Sequence, residues 1–195
     1  MKIFQNSTAG VIAGLMLAMA LTRFNHFGSS IALPDASLAV FFLGGLYLAR
    51  FSGALAIFVA LLAEAALVDY YAITVQGTSD WCVTPAYGFL AVAYAVMWFA
   101  GRGLASRHSL NRQGLLRVFA TVGVASTVAF AISNISFLLF SGRYAAMSAV
   151  EYAASVVQYW GSYVVVAMLY VGCVVFAQMV FLFLNGKAHR DSHVA

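Results

Sequence analysis

Six apolar runs separated by short polar stretches dominate the chain: residues 8–22, 37–49, 53–75, 85–100, 115–140 and 150–184. Most approach the roughly 20 residues needed to cross about 30 Å of hydrocarbon, so they predict membrane-spanning helices. The second run is short and is interrupted by Gly44-Gly45, which predicts a broken or strongly tilted helix with part of the preceding loop re-entering the protein. The last run is too long for one span. Trp160-Gly161-Ser162 divides it, on this reading, into an outer amphipathic piece and a spanning helix from about Tyr163. Lys2 precedes the first run as it would in a signal peptide. Arg23-Phe24-Asn25-His26 follows where a small-residue cleavage site would stand, so a retained helix is expected.

Composition agrees with the pattern. Hydrophobic residues make up 64% of the 195 positions and charged residues 8%, too few to cover a soluble domain of this size. No Pro/Gly/Ser-rich linker divides the chain. The expected fold is therefore an all-α integral membrane protein, a single domain over 1–195 with six transmembrane helices.

The net charge of +4 does not indicate a nucleic-acid partner, because the basic residues stand at the ends of apolar runs rather than in one patch. With both termini cytoplasmic, Lys2, Arg50, Arg102, Arg107, Arg112, Arg117, Lys187 and Arg190 fall inside, and only Arg23 and Arg143 fall outside. Asp35, Asp80 and Glu151 then lie in the outer loops, with Asp69 near the outer end of the third helix.

That orientation places the loop SDWCVTPAY, residues 79–87, on the outside. Thr84 followed by Pro85 is a helix-start signal, threonine as cap and proline in the first turn. Cys82 stands two residues before the cap, where the positive helix end favours thiolate while Asp80 opposes it. Its only intrachain disulfide partner would be Cys173, about ten residues into the last helix, roughly 15 Å deeper at 1.5 Å per residue, which is too far. A lone outer cysteine reads either as a tolerated loop residue or as a soft ligand to a transition metal or cofactor. Trp81, Tyr87, Tyr70 and Tyr71 add apolar faces with polar tips, and Asp69 and Asp80 add acceptors. The set suits a large planar ligand with polar edges, although an interfacial aromatic belt accounts for some of it.

With DWCVTPAY in an outer loop between the third and fourth helices, and both chain ends inside, the chain resembles the BtuM-type vitamin B12 transporters, relatives of the substrate-binding S-components of energy-coupling factor transporters. The resemblance implies an S-component-like bundle in a bacterial cytoplasmic (inner) membrane that carries cobalamin. It puts Cys82 on the cobalt as axial ligand and Asp69 and Tyr87 around the corrin, with Trp81, Asp80 and His26 as further contacts. A sulfur ligand on one side of cobalt would labilise the opposite one, so loss of cyanide from cyanocobalamin is a companion expectation, which leaves open whether the chain is also an enzyme. No phosphate-binding G-x-x-x-x-G-K-[ST] motif occurs. S-components dock a separate ATPase module through small residues of the first helix, and here Ala9 and Ala13, beside Gly10 and Gly14, have that spacing. Ordinary helix packing is the other reading of the same stripe.

The remaining polar residues in the apolar runs are Glu64, a candidate for proton coupling or for a protonated interhelical bond, and Thr127, Ser126, Ser133 and Asn134. Of these Asn134 is expected nearest the substrate, while Met147, Tyr152, Gln158, Tyr159 and Trp160 are candidates for a lid. Two other classes stay open: an S-component-like transporter for another vitamin or a metal, and a membrane sensor or scaffold.

Overall fold

The structure, a computed structural model, describes the backbone of residues 3–23 and 33–191 and the side chains of residues 8–23 and 33–185. It contains six α-helices and no strand among the described residues: α1 (Ile3–Arg23), α2 (Ser37–Tyr47), α3 (Ala54–Thr74), α4 (Phe89–Leu104), α5 (Arg112–Phe140) and α6 (Ala149–Asp191). A single 3-10 turn, Pro85–Gly88, leads into α4. Thr84 caps it as its sequence position predicts, the hydroxyl accepting from the Ala86 N–H at 3.3 Å. Asn111 caps α5 in the same way, its side chain accepting from the Gly114 N–H at 2.8 Å.

Four segments are long and apolar enough to cross a membrane: Ala54–Thr74, Pro85–Arg107, Arg112–Phe140 and Ala149–Asn185. Thr8–Arg23 and Ser37–Tyr47 are shorter apolar helices. Large apolar side chains such as Leu17, Leu67, Val124 and Phe176 point outward, so the outer surface of the bundle is as greasy as its core. A helix set that is apolar on all sides fits lipid rather than water.

Two expectations fail. Gly44-Gly45 does not break α2, which runs unbroken for 11 residues with ten of them buried. Nor does Trp160-Gly161-Ser162 divide the last segment. α6 is one helix of 43 residues, about 65 Å at 1.5 Å per residue, roughly twice the hydrocarbon thickness.

The glycines of α2 have another purpose. A Cβ on Gly45 would meet the carbonyl of Trp98, and one on Gly101 would meet the carbonyl of Phe42. The backbones of α2 and α4 therefore touch, and the Trp98 ring lies over Gly44. Helix continuity survives because the close packing compensates the weak helix propensity of glycine. Around this contact the core draws on all six helices, with Met19, Phe41, Leu61, Met97, Val122 and Val171 fully enclosed. Phe41 stacks on Tyr94 at 4.4 Å between centroids, and Phe58 meets both Phe41 and Trp98 edge-on.

Gly45→Val and Gly101→Val should each force the two backbones apart and destabilise the protein by about 1–3 kcal/mol or more. Gly10→Ala, where nothing lies within 4 Å of the added carbon, should change the thermal midpoint in detergent little. Equal midpoints for all three variants would contradict the α2–α4 contact.

Candidate functional site

α1 ends on Arg23, and that residue organises one end of the bundle. The residue is 1% exposed. Nε donates to Asp69 Oδ1 at 2.9 Å and to the Ala65 carbonyl at 3.2 Å, while Nη2 donates to Asp69 Oδ2 at 2.7 Å. Nη1 donates to Ser37 Oγ at 2.9 Å and to the Tyr94 hydroxyl at 2.6 Å, and lies 3.7 Å from Asp35 Oδ2. Tyr87 donates to Asp69 Oδ2 at 2.6 Å. A guanidinium presents a planar fork of donors, and the carboxylate of Asp69 matches it with two parallel bonds. Burying two charges costs several kcal/mol per ion, and only such a dense set of bonds offsets it.

Each partner arrives from a different element. Asp69 and Ala65 lie one turn apart on α3, Ser37 opens α2, Tyr87 sits in the turn before α4, and Tyr94 lies within α4. The sequence reading counted Arg23 only as a charge on the same side as Asp35 and Asp69; it does lie against both, and what the reading did not foresee is its burial. Arg23 is a buried structural centre. The sequence did hold a signal: Asp69 inside an apolar helix requires a counter-charge, and Arg23 stands at the end of the neighbouring apolar run.

Above this network opens a cavity of about 380 Å³. Asp35, Asp69, Cys82, Tyr87, Tyr94 and Ser133 line one part of it, and Tyr159, Ser162 and Tyr163 of α6 line the facing wall. Three residues proposed from sequence, Cys82, Asp69 and Tyr87, therefore share one cavity. Tyr159, from the expected lid, joins them.

The other candidates stand elsewhere. Asp80 is exposed, outside the lining, and its carbonyl accepts from the Val83 N–H at 2.8 Å. Trp81 is also outside the lining and carries the guanidinium of Arg143 over its ring at 4.3 Å, joining the α3–α4 loop to the α5–α6 loop. Asn134 is turned to α6 and its own helix, accepting from Tyr152 at 3.2 Å and donating to the Phe130 carbonyl at 2.9 Å. His26 lies outside the described residues. Trp160 donates to Thr127 at 3.1 Å. Glu64 faces away into a shallow groove with Met16 and Leu67, where its Oε2 has no hydrogen-bond partner. Ala9 and Ala13 are exposed on α1. Sequence reasoning missed Asp35, Ser37, Tyr94, Ser162 and Tyr163, which are ordinary residues until the helices bring them together.

Cys82 is unpaired, as is Cys173. Its thiol is pushed above the ordinary cysteine value, first by burial against the cavity wall and then by the negative charge of Asp69. The expected activation by the helix end does not prevail, and the opposing acid is Asp69 rather than Asp80. Among the described residues no three His, Cys, Asp or Glu side chains converge as a metal-binding group. Cys82 is then a single soft donor opening into a mainly apolar cavity edged by tyrosines and by Asp35 and Asp69.

A larger groove of about 510 Å³ runs between α1, α2 and α6, lined by apolar side chains apart from Tyr47, Tyr170 and Gln178. It holds no ionisable acid or base to do chemistry at neutral pH.

Comparison with known proteins places no family on this chain: no family model matches it, and no curated protein matches it significantly.

Two outcomes are expected of this site. Arg23→Ala leaves Asp69 uncompensated and should lower stability by about 3–5 kcal/mol, and Arg23→Lys should recover only part of it because an ammonium lacks the fork. A thermal midpoint in Arg23→Ala equal to wild type would contradict the buried pair. Alkylation of Cys82 follows its thiolate, so the rate should rise with pH along a profile displaced above that of an ordinary cysteine. Asp69→Asn should move that profile to lower pH. A profile unchanged by the substitution would remove Asp69 from the thiol's electrostatics.

Proposed function

We propose that the chain is a membrane transporter for corrinoids, taking up vitamin B12 across a bacterial cytoplasmic membrane. Cobalamin or cobinamide is bound where Cys82 opens into the cavity, and the sulfur is the axial ligand to its cobalt. The observation that carries this reading is the solitary soft donor in a cavity edged by tyrosines and carboxylates. One protein ligand can hold a transition metal only when the metal brings its other donors with it, and a corrin ring supplies four nitrogens. Thiolate is the matching donor for such a late transition metal. Asp69, Tyr87 and Tyr94 offer polar edges to the amide-bearing rim of the ring, and Tyr159 and Tyr163 offer faces.

In this reading the six helices form an S-component-like bundle whose ends both lie in the cytoplasm. The arginines beyond α2 and α4 favour that side. Ala9 and Ala13 on the exposed face of α1 dock an energising ATPase module. The thiol is protonated at neutral pH, so coordination releases a proton. When the ligand is cyanocobalamin, the lower nucleotide base leaves the cobalt with its own lone pair as sulfur takes that face of Co(III), cyanide departs from the opposite side with the electron pair of its own bond, and the released proton is taken up as hydrogen cyanide. Cobalt keeps its oxidation state, so the step is ligand exchange and needs no reductant.

A second reading has one observation in its favour. The cavity of about 380 Å³ lies in the range of small-molecule sites, whereas a corrinoid with its side chains is much larger and would enter only in part unless the loops part. A smaller vitamin carried by the same scaffold fits that volume.

The visible absorption spectrum of purified protein mixed with cobinamide separates the two. Coordination through sulfur should shift the corrin bands in wild type. Cys82→Ser should lose the shift, weaken binding at least tenfold and abolish cyanide release, while Cys173→Ser should behave as wild type. Absence of any spectral change in wild type, with a small vitamin bound instead, would replace the first reading by the second.

A further inference from the structure

The end of the bundle opposite Cys82 carries a different chemistry. Arg50 follows α2, Arg102 lies in the last turn of α4, Arg107 in the 3-10 turn Ala105–Arg107, and Arg112 and Arg117 in the first turns of α5. All five are exposed. None forms a salt bridge or side-chain hydrogen bond among the described residues, where the only ion pairs are those of Arg23.

The fold gathers them at one level. The backbone of Arg102 packs against Gly45, and the ring of His108 lies 6.0 Å from that of Tyr47, which ends α2 three residues before Arg50. Asn111 then turns the chain directly into α5. Among the residues whose side chains are described, every acid lies farther along: Glu64 is ten residues into α3, and Asp69 fifteen, about 15 and 22 Å from the helix start at 1.5 Å per residue. Asp35, Asp80 and Glu151 belong to the loops and helix start at the Cys82 end. None of these five carboxylates is at hand to neutralise the five guanidinium groups.

We infer that these arginines form a girdle that binds the phosphates of anionic phospholipid headgroups in the membrane around the protein. Guanidinium matches a phosphate oxygen pair with two parallel bonds, and it is the weaker-hydrated of the two basic side chains. The disposition of the charges selects lipid over a single soluble phosphate. Arg112 and Arg117 are five residues apart on one helix and so diverge by about 140°, and Arg50 and Arg102 leave from two further helices. Such side chains spread around the bundle instead of converging on one point. A ring of headgroups meets that geometry, because each arginine finds its own phosphate. Arg117 stands more than a turn inside the apolar helix, between the exposed Leu116 and the buried Val118, and its long stem reaches back to the headgroup level. The inference needs only that the helices lie in a membrane, and holds whatever ligand occupies the cavity.

The test is lipid selectivity in reconstituted vesicles. Spin-labelled phosphatidylglycerol and phosphatidylcholine are compared for the fraction immobilised by the full-length protein at low and high sodium chloride. Wild type should prefer phosphatidylglycerol several-fold, and the preference should shrink in high salt. Arg102→Gln, Arg107→Gln and Arg112→Gln should each lower it, by up to about fivefold per charge, and the triple variant should approach none. Asp80→Asn, at the other end, should leave it unchanged. Arg107→Gln, in an exposed turn, keeps the test decisive should the triple variant fail to fold. Equal immobilisation of the two lipids by wild type, or a preference untouched by Arg107→Gln and Arg102→Gln, overturns the inference. So does its loss to inorganic phosphate where chloride of equal ionic strength has no such effect, which would assign the arginines to a free anion.

Discussion

The ion pair between Arg23 and Asp69 is the constraint on which the Cys82 end of this bundle depends. An arginine that is 1% exposed at the end of an apolar helix is tolerable only where its donors are met, and meeting them fixes the relative positions of α1, α2, α3 and α4. The carboxylate is bound on both oxygens by Arg23 and on one also by Tyr87. The turn ahead of α4 is thereby tied to α3, and Cys82 lies in the loop between them. The geometry around the thiol is a by-product of satisfying one buried charge.

Packing and polar bonding meet in Tyr94. Its ring stacks on Phe41, in the layer where α2 and α4 touch through glycine, while its hydroxyl accepts from Arg23. The greasy centre of the bundle thus continues without a seam into the floor of the cavity. This also orders the electrostatics of the thiol. Arg23 is screened behind its partners, so what Cys82 meets across the cavity is the negative side of the pair, and its proton is held more firmly.

The helical, membrane-type character of the chain is legible in its apolar runs, and most helix limits fall near those the pattern predicts. The failures have physical causes. Gly44-Gly45 reads as a break because glycine weakens an isolated helix, yet with another backbone against it the missing side chain is what permits the helix to pack. Gly161 reads as a divide, but a helix that already has hydrogen bonds on both sides passes through one glycine at a cost of about 1 kcal/mol. At the site, Cys82, Asp69 and Tyr87 stand out because thiols, carboxylates and capped helix starts are rare in apolar sequence. Asp80 and Trp81 neighbour the cysteine in sequence yet point elsewhere. Tyr163 and Ser162, about eighty residues away, reach the cavity only through the packing of α6 against the rest, a relation no local pattern encodes.

The unbroken length of α6 has a mechanical meaning. Tyr159 touches the cavity, and Gln178, 19 residues further along the same rod, accepts a bond from Tyr47 at 2.8 Å near the arginine end. The two points are about 28 Å apart along the axis at 1.5 Å per residue. A stiff rod pivoting through about 10° about one of them carries the other roughly 5 Å, approximately one helical turn of displacement. Had the helix been divided at Gly161, a hinge there would have absorbed that motion. As a single unbroken helix, α6 ties the cavity wall at Tyr159 mechanically to the Tyr47 contact at the other end of the bundle.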